Sequence, residues 1–88
     1  MKKMTVRDFL DIVYDEQWVR LYIAGAESEP AMIDVWGADW IGGYGETLEK
    51  VSPYLGYEVE DMVVEEHDDP ELEGEKAQMI CVTAFPKA

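Results

Sequence analysis

His67 is the single histidine of the chain and stands among Glu65, Glu66, Asp68 and Asp69. An imidazole held between carboxylates can serve as a general base or give a nitrogen to a metal ion. Neither chemistry finds its second part in the sequence. There is no other histidine, and Cys81, the single cysteine, reads as a mid-strand core residue far along the chain. His67 is therefore expected on an exposed loop, its charged form favoured by acidic neighbours. A nucleophilic triad is also short of parts, because the two serines, Ser28 and Ser52, fall at turn or cap positions. Gly42-Gly43-Tyr44-Gly45 has the glycine content of a phosphate cradle, but no Lys-Ser or Lys-Thr follows, and Asp39 and Glu46 beside it repel phosphate. The carboxylates offer oxygen ligands of the kind Ca²⁺ takes, without the EF-hand spacing. The expectation is a non-enzymatic protein with no catalytic residue, no dedicated metal site and no cofactor.

The charge carries more information. The 88 residues suffice for one domain, 1–88, and hold 20 acidic against 7 basic side chains, a formal net charge of −13. Direct binding to nucleic acid needs a basic face and is excluded on that ground. Apolar runs reach only about six residues against the roughly 18–20 of a membrane span, so no membrane partner is expected. Met1-Lys2-Lys3-Met4 leads into a charged amphipathic stretch rather than an apolar signal core, and one cysteine suits a reducing compartment, so a cytoplasmic location is expected.

The charge is also unevenly spread. Residues 1–20 balance, whereas residues 58–75 hold ten carboxylates and no Lys or Arg. Side chains two apart on a strand point the same way at about 6.6 Å, close to the phosphate spacing along a nucleic-acid strand. Glu58 and Glu60 are read as such a pair, and crowding is expected to raise the pKa values of the acids around them. The partner-binding residues are accordingly placed at Glu58, Glu60, Asp61, Glu65, Glu66, Asp68 and Asp69, with Trp40 or Tyr44 as an apolar anchor at the rim. Trp36, Trp40, Tyr44 and Tyr54 can equally complete a core, Trp40 being the one expected to be exposed.

These residues need elements to position them. Val6, Phe9, Leu10 and Val13 share one helical face over 5–14, and Thr5 with Asp8 makes a capping box. Alternation predicts a strand over 18–24, turn residues over 25–30 and a second strand over 31–36 that pairs back as a hairpin. Residues 37–45 read as an irregular loop. Residues 46–55 read as two helical turns stopped by Pro53. The last strands fall at 57–65 and 77–85, around a long polar loop over 66–75. Both faces of the fourth strand are apolar, which predicts a central position. The expected fold is α+β, ordered α-β-β-α-β-β, with a four-stranded, mainly antiparallel sheet and one main helix packed on one face.

Thr5-Val6-Arg7-Asp8-Phe9-Leu10, Val19-Arg20-Leu21-Tyr22 and Tyr54-Leu55-Gly56-Tyr57-Glu58-Val59 resemble the layout of small proteins carried by phages and mobile elements of gut bacteria. Those begin with a Thr-Val-x-Asp/Glu helix, enter a hairpin and step through Leu-x-x-x-Val into a last strand pair. The resemblance implies a fold layout and a genomic setting. In size, acidity and mixed α/β content the chain is also similar to anti-CRISPR proteins that mimic nucleic acid, which implies an inhibitor aimed at a basic, nucleic-acid-handling partner. The alternative is a small accessory domain that self-associates, as a homodimer, through its aromatic patch.

Overall fold

The computed structural model describes residues 3–25 and 32–86. Most of the expected first hairpin turn and the Ala31 start of the second strand lie outside the described residues. Thr5 caps α1 (Val6–Leu10) as its sequence predicts: its hydroxyl accepts the Asp8 N–H at 3.2 Å, and the Asp8 carboxylate accepts the Thr5 N–H at 3.1 Å. The next free donors, on Val6 and Arg7, go to the carbonyls of Tyr57 and Leu55, which ties this helix start to a distant part of the chain. The helix is shorter than the expected 5–14. Beyond Asp11 the N–H groups of Ile12 and Val13 turn back to Phe9 and Leu10, tightening the chain into i→i+3 turns that still bury Val13.

The strands are β1 (Trp18–Ile23), β2 (Met32–Trp36), β3 (Glu58–Asp68) and β4 (Lys76–Phe85), in the spatial order β2-β1-β4-β3. β1 pairs antiparallel with β2, and β3 with β4, but β1 and β4 run parallel, so the sheet is mixed rather than mainly antiparallel. Connectivity explains the difference. Residues 37–57 carry the chain from β2 at one edge to β3 at the other, and the β3–β4 hairpin then lays β4 beside β1 in the same direction. The register sets Val19 against Ile80, Leu21 against Val82 and Ile23 against Ala84, which brings the apolar sets of both strands to one face. Those residues, except the half-buried Ile80, form the core with Ile33 and Val35 from β2 and with Val6, Phe9, Leu10, Val13, Val51 and Tyr54. β4 is central, as expected: Val82 and Ala84 are buried on the helix side, and Met79 and Cys81 on the other.

The cover comes in pieces rather than as one main helix. The segment expected to be an irregular loop holds α2 (Gly37–Ile41), whose first N–H groups bond to the carbonyls of Gln17 and Asp15. Gly37 permits that approach, since a Cβ there would lie 2.1 Å from the Tyr14 carbonyl oxygen. Gly43, at φ +72°, reverses the chain into α3 (Gly45–Val51), and Pro53 then tightens the end into a 3₁₀ turn over Ser52–Tyr54. The order is thus α-β-β-α-α-β-β. The expected 66–75 loop is shorter too, because both strands run on and leave only 69–75 as the turn.

Leu21→Ala should lose about 2–5 kcal/mol through transfer and cavity terms. Gly37→Ala should also destabilise, because its new methyl meets backbone that no rotamer can move. Ile12→Ala, at an exposed position, should stay within about 0.5 kcal/mol, all three read by chemical denaturation.

Candidate functional site

Among the described residues β4 is the only strand beside β3; the outer edge of β3 is held at its start, where Val59 N–H donates to the Met4 carbonyl at 2.8 Å and Thr5 bridges Glu58, and is free beyond that point. Along its 11 residues it carries Glu58, Glu60, Asp61, Glu65, Glu66 and Asp68, and every residue from Glu60 to Glu66 is exposed. Met62, Val63 and Val64, 46–60 % exposed, stand in the middle of this acidic strand. The expected same-face pair of Glu58 and Glu60 does not form. A bulge between Val59 and Asp61 takes Glu60 out of the alternation, so Glu58 and Asp61 lie opposite Phe85 and Thr83 on one face. Beyond the bulge Asp61, Val63, Glu65 and His67 share the face of Cys81, while Met62, Val64, Glu66 and Asp68 share the other. The carboxylates therefore flank the strand on both sides instead of forming one row.

Several of the acids already have local partners. Glu60 takes the Lys3 ammonium at 2.5 Å, and that hydrogen bond raises the lysine above its usual range. Glu58 is half-buried, and its backbone forms an isolated antiparallel bridge with Thr5. Asp68 pairs with Lys76 at the mouth of the hairpin; the hydrogen bond and then the charge of Lys76 hold its carboxyl below the usual range, opposite to the rise expected from crowding. Asp69 builds the turn, its carboxylate accepting the N–H groups of Glu71 and Leu72 at 2.8 and 3.0 Å. Asp61 and Glu66 are exposed along the strand.

His67 is on strand β3, not on a loop, and its Nε2 lies 3.2 Å from Glu65 Oε1. Cys81 is not remote from it: the Glu65 oxygen, the His67 nitrogen and the Cys81 sulfur all lie within 4.8 Å of one another. The ladder causes this. It sets Val63 opposite Cys81 and so puts Glu65 on the adjacent diagonal of the same face. Burial and then the neighbouring Glu65 push the Cys81 thiol pKa up.

That same face carries Trp18 and Trp36, their rings 5.1 Å apart and tilted at 50°, and an Arg20–Asp34 pair with contacts of 2.8 and 3.3 Å. The Asp34 hydrogen bond outweighs desolvation and raises the Arg20 pKa further. A shallow cleft of about 880 Å³ runs from Trp18 and Trp36 to Tyr44 and Lys50, with Pro70 and Glu71 of the hairpin turn across it. The four expected aromatics are thus divided. Tyr44 is 53 % exposed at the cleft, and Tyr54 is buried edge-on to Tyr57. Trp40 is not the exposed one: it packs on the core, and its indole N–H donates to Asp11 Oδ1 at 3.0 Å. Trp18 was not among the residues singled out, although its alternation with Arg20 and Tyr22 already placed it on the face opposite the core.

No protein-family model, curated protein or solved structure matches the chain. Among the described residues no helix is long and apolar enough to cross a membrane.

Three outcomes follow from these pairings. Asp34→Asn should cost about 1–3 kcal/mol, because it leaves the largely buried Arg20 charge half-partnered; Glu60→Gln, at an exposed pair, should leave the denaturation midpoint nearly unchanged. Lys76→Gln should return the Asp68 midpoint to the ordinary carboxylate range in an NMR titration. A lowered folded pKa means that the pair's contribution is intact above the unfolded value of about 3.9 and fades as pH falls through the Asp68 midpoint.

Proposed function

We propose that the protein is a non-enzymatic acidic inhibitor that uses β3 to occupy a basic groove on a nucleic-acid-handling partner, in the manner of a nucleic-acid mimic. The contact residues are Glu58, Glu60, Asp61, Glu65, Glu66 and Asp68. Asp69 shapes the adjoining turn, and Tyr44 supplies the apolar rim in place of Trp40. The setting that goes with this reading is a phage or mobile element directed against a host system.

The observation that carries the reading is the free edge of β3, with six carboxylates around three exposed apolar residues. Such an edge invites another strand unless charge forbids it. A second copy, antiparallel and centred on Val63 beyond the bulge, would set Asp61 of each copy against Glu65 of the other. Like charges directly opposite are destabilising, so this edge disfavours its own kind and favours a basic surface. The excess of acids over bases also speeds encounter with a positive partner, in a salt-dependent way. Self-association through the aromatic patch has less to work with, since Trp40 and Tyr54 pack on the core and Trp36 is already in tilted contact with Trp18.

The test is capture on the immobilised chain, followed by competition of the captured protein with duplex DNA and with RNA. The captured protein should be basic, be released by moderate salt and be displaced by nucleic acid. Asp61→Lys with Glu66→Lys should abolish capture while circular dichroism stays unchanged, both sites being exposed. A complex that survives high salt, or that forms on a partner already holding nucleic acid, contradicts mimicry and leaves the aromatic surface as the binding face.

A further inference from the structure

On the sheet face away from the helices, β3 and β4 bring together a carboxylate, an imidazole and a thiol. We propose that Glu65, His67 and Cys81 form a binding site for a divalent transition-metal ion of borderline softness, with Zn²⁺ the best match.

The donor set selects the ion. Ca²⁺ and Mg²⁺ take oxygen ligands, whereas a thiolate with an imidazole suits Zn²⁺ and its neighbours in the first transition row. The spacing is close to what such an ion needs. Zn–S near 2.3 Å and Zn–N and Zn–O near 2.0–2.2 Å in a tetrahedral arrangement put neighbouring donors about 3.3–3.6 Å apart. Glu65 and His67 already stand at 3.2 Å. The whole set lies within 4.8 Å, so closure asks for just over about 1 Å of movement.

The scaffold suits the task as well. Cys81 is 3 % exposed on the central strand, and its sulfur has a long contact of 3.9 Å to the Met79 carbonyl, easily given up to a metal. Glu65 and His67 follow each other on one face of the same strand, the carboxylate exposed and the imidazole half-buried. Arg20 lies beside Cys81 on β1, but its charge is engaged by Asp34, while Asp61 and Glu66 add negative potential along β3. Binding forms one bond each to sulfur, nitrogen and oxygen and releases the thiol proton to solvent. The three side chains leave a fourth position for water or for a donor on another molecule.

Titrating Co²⁺ into the full chain tests the proposal, with thiolate-to-cobalt charge-transfer absorption as the readout. The expected result is saturation at one equivalent, displacement by Zn²⁺ and indifference to excess Ca²⁺. Cys81→Ser should remove the thiolate band. His67→Gln and Glu65→Gln, at positions outside the core, should each weaken binding by roughly tenfold or more, whereas Glu73→Gln in the hairpin turn should not. A missing thiolate band overturns the site. So does an affinity that His67→Gln leaves unchanged, since the ion would then sit on scattered carboxylates.

Discussion

The parallel ladder between β1 and β4 is the contact on which the rest of the arrangement depends. By taking the side of β1 that β2 leaves open, β4 becomes central and sends β3 to the outer edge. The same register aligns Leu21 with Val82 and Ile23 with Ala84 for the core, and Arg20 with Cys81 on the opposite face. Sliding the ladder by one residue would turn the apolar set of β4 outward and lose both consequences together. The acidic strand is on the surface because the apolar strand displaced it from the middle.

A second constraint is the shortage of cover. One small chain supplies α1, α3 and a 3₁₀ turn, and their buried apolar side chains join the core on one face of the sheet. The other face closes with its own side chains: the Trp18–Trp36 contact and the Arg20–Asp34 pair lie on it beside Met79 and Cys81. Neither cover reaches the middle of β3, where Met62, Val63 and Val64 remain exposed. In a neutral protein such a strand would be an aggregation site. Here carboxylates stand on both sides of the apolar centre, an arrangement of charge that opposes edge-to-edge pairing of like strands.

Local signals were legible in the sequence, and those that depend on a distant register were not. The Thr5–Asp8 box, the alternation of β1, the stop at Pro53 and the central place of β4 each rest on neighbouring residues, and each is present. The direction of β4 was not legible, since apolar faces on both sides indicate a centre without saying which way the strand runs. α2 escaped notice because Gly37-Ala38-Asp39-Trp40 has a loop composition, and its start is fixed by the carbonyls of Asp15 and Gln17. Glu66, His67 and Asp68 are poor strand formers by type, yet the ladder to Lys76, Ala77 and Gln78 carries them into β3. That extension also hid the approach of His67 to Cys81, which becomes visible only when the hairpin is paired through the acidic segment. The carboxylates of the candidate site were all identifiable, but their facing was not, because a bulge leaves no mark in the composition.

The central claim is that the free edge of β3 is the partner-binding surface and that charge, more than apolar contact, selects what binds there. The most direct measurement is an NMR titration of the isotope-labelled chain with an extended lysine-rich peptide bearing a short apolar centre, followed by amide shifts and exchange at several salt concentrations. The account predicts shifts and slowed exchange concentrated along Glu58–Asp68, fading as salt rises and absent with a neutral peptide of the same shape. Shifts confined to the cleft around Trp36 and Tyr44, or binding indifferent to salt, would contradict it.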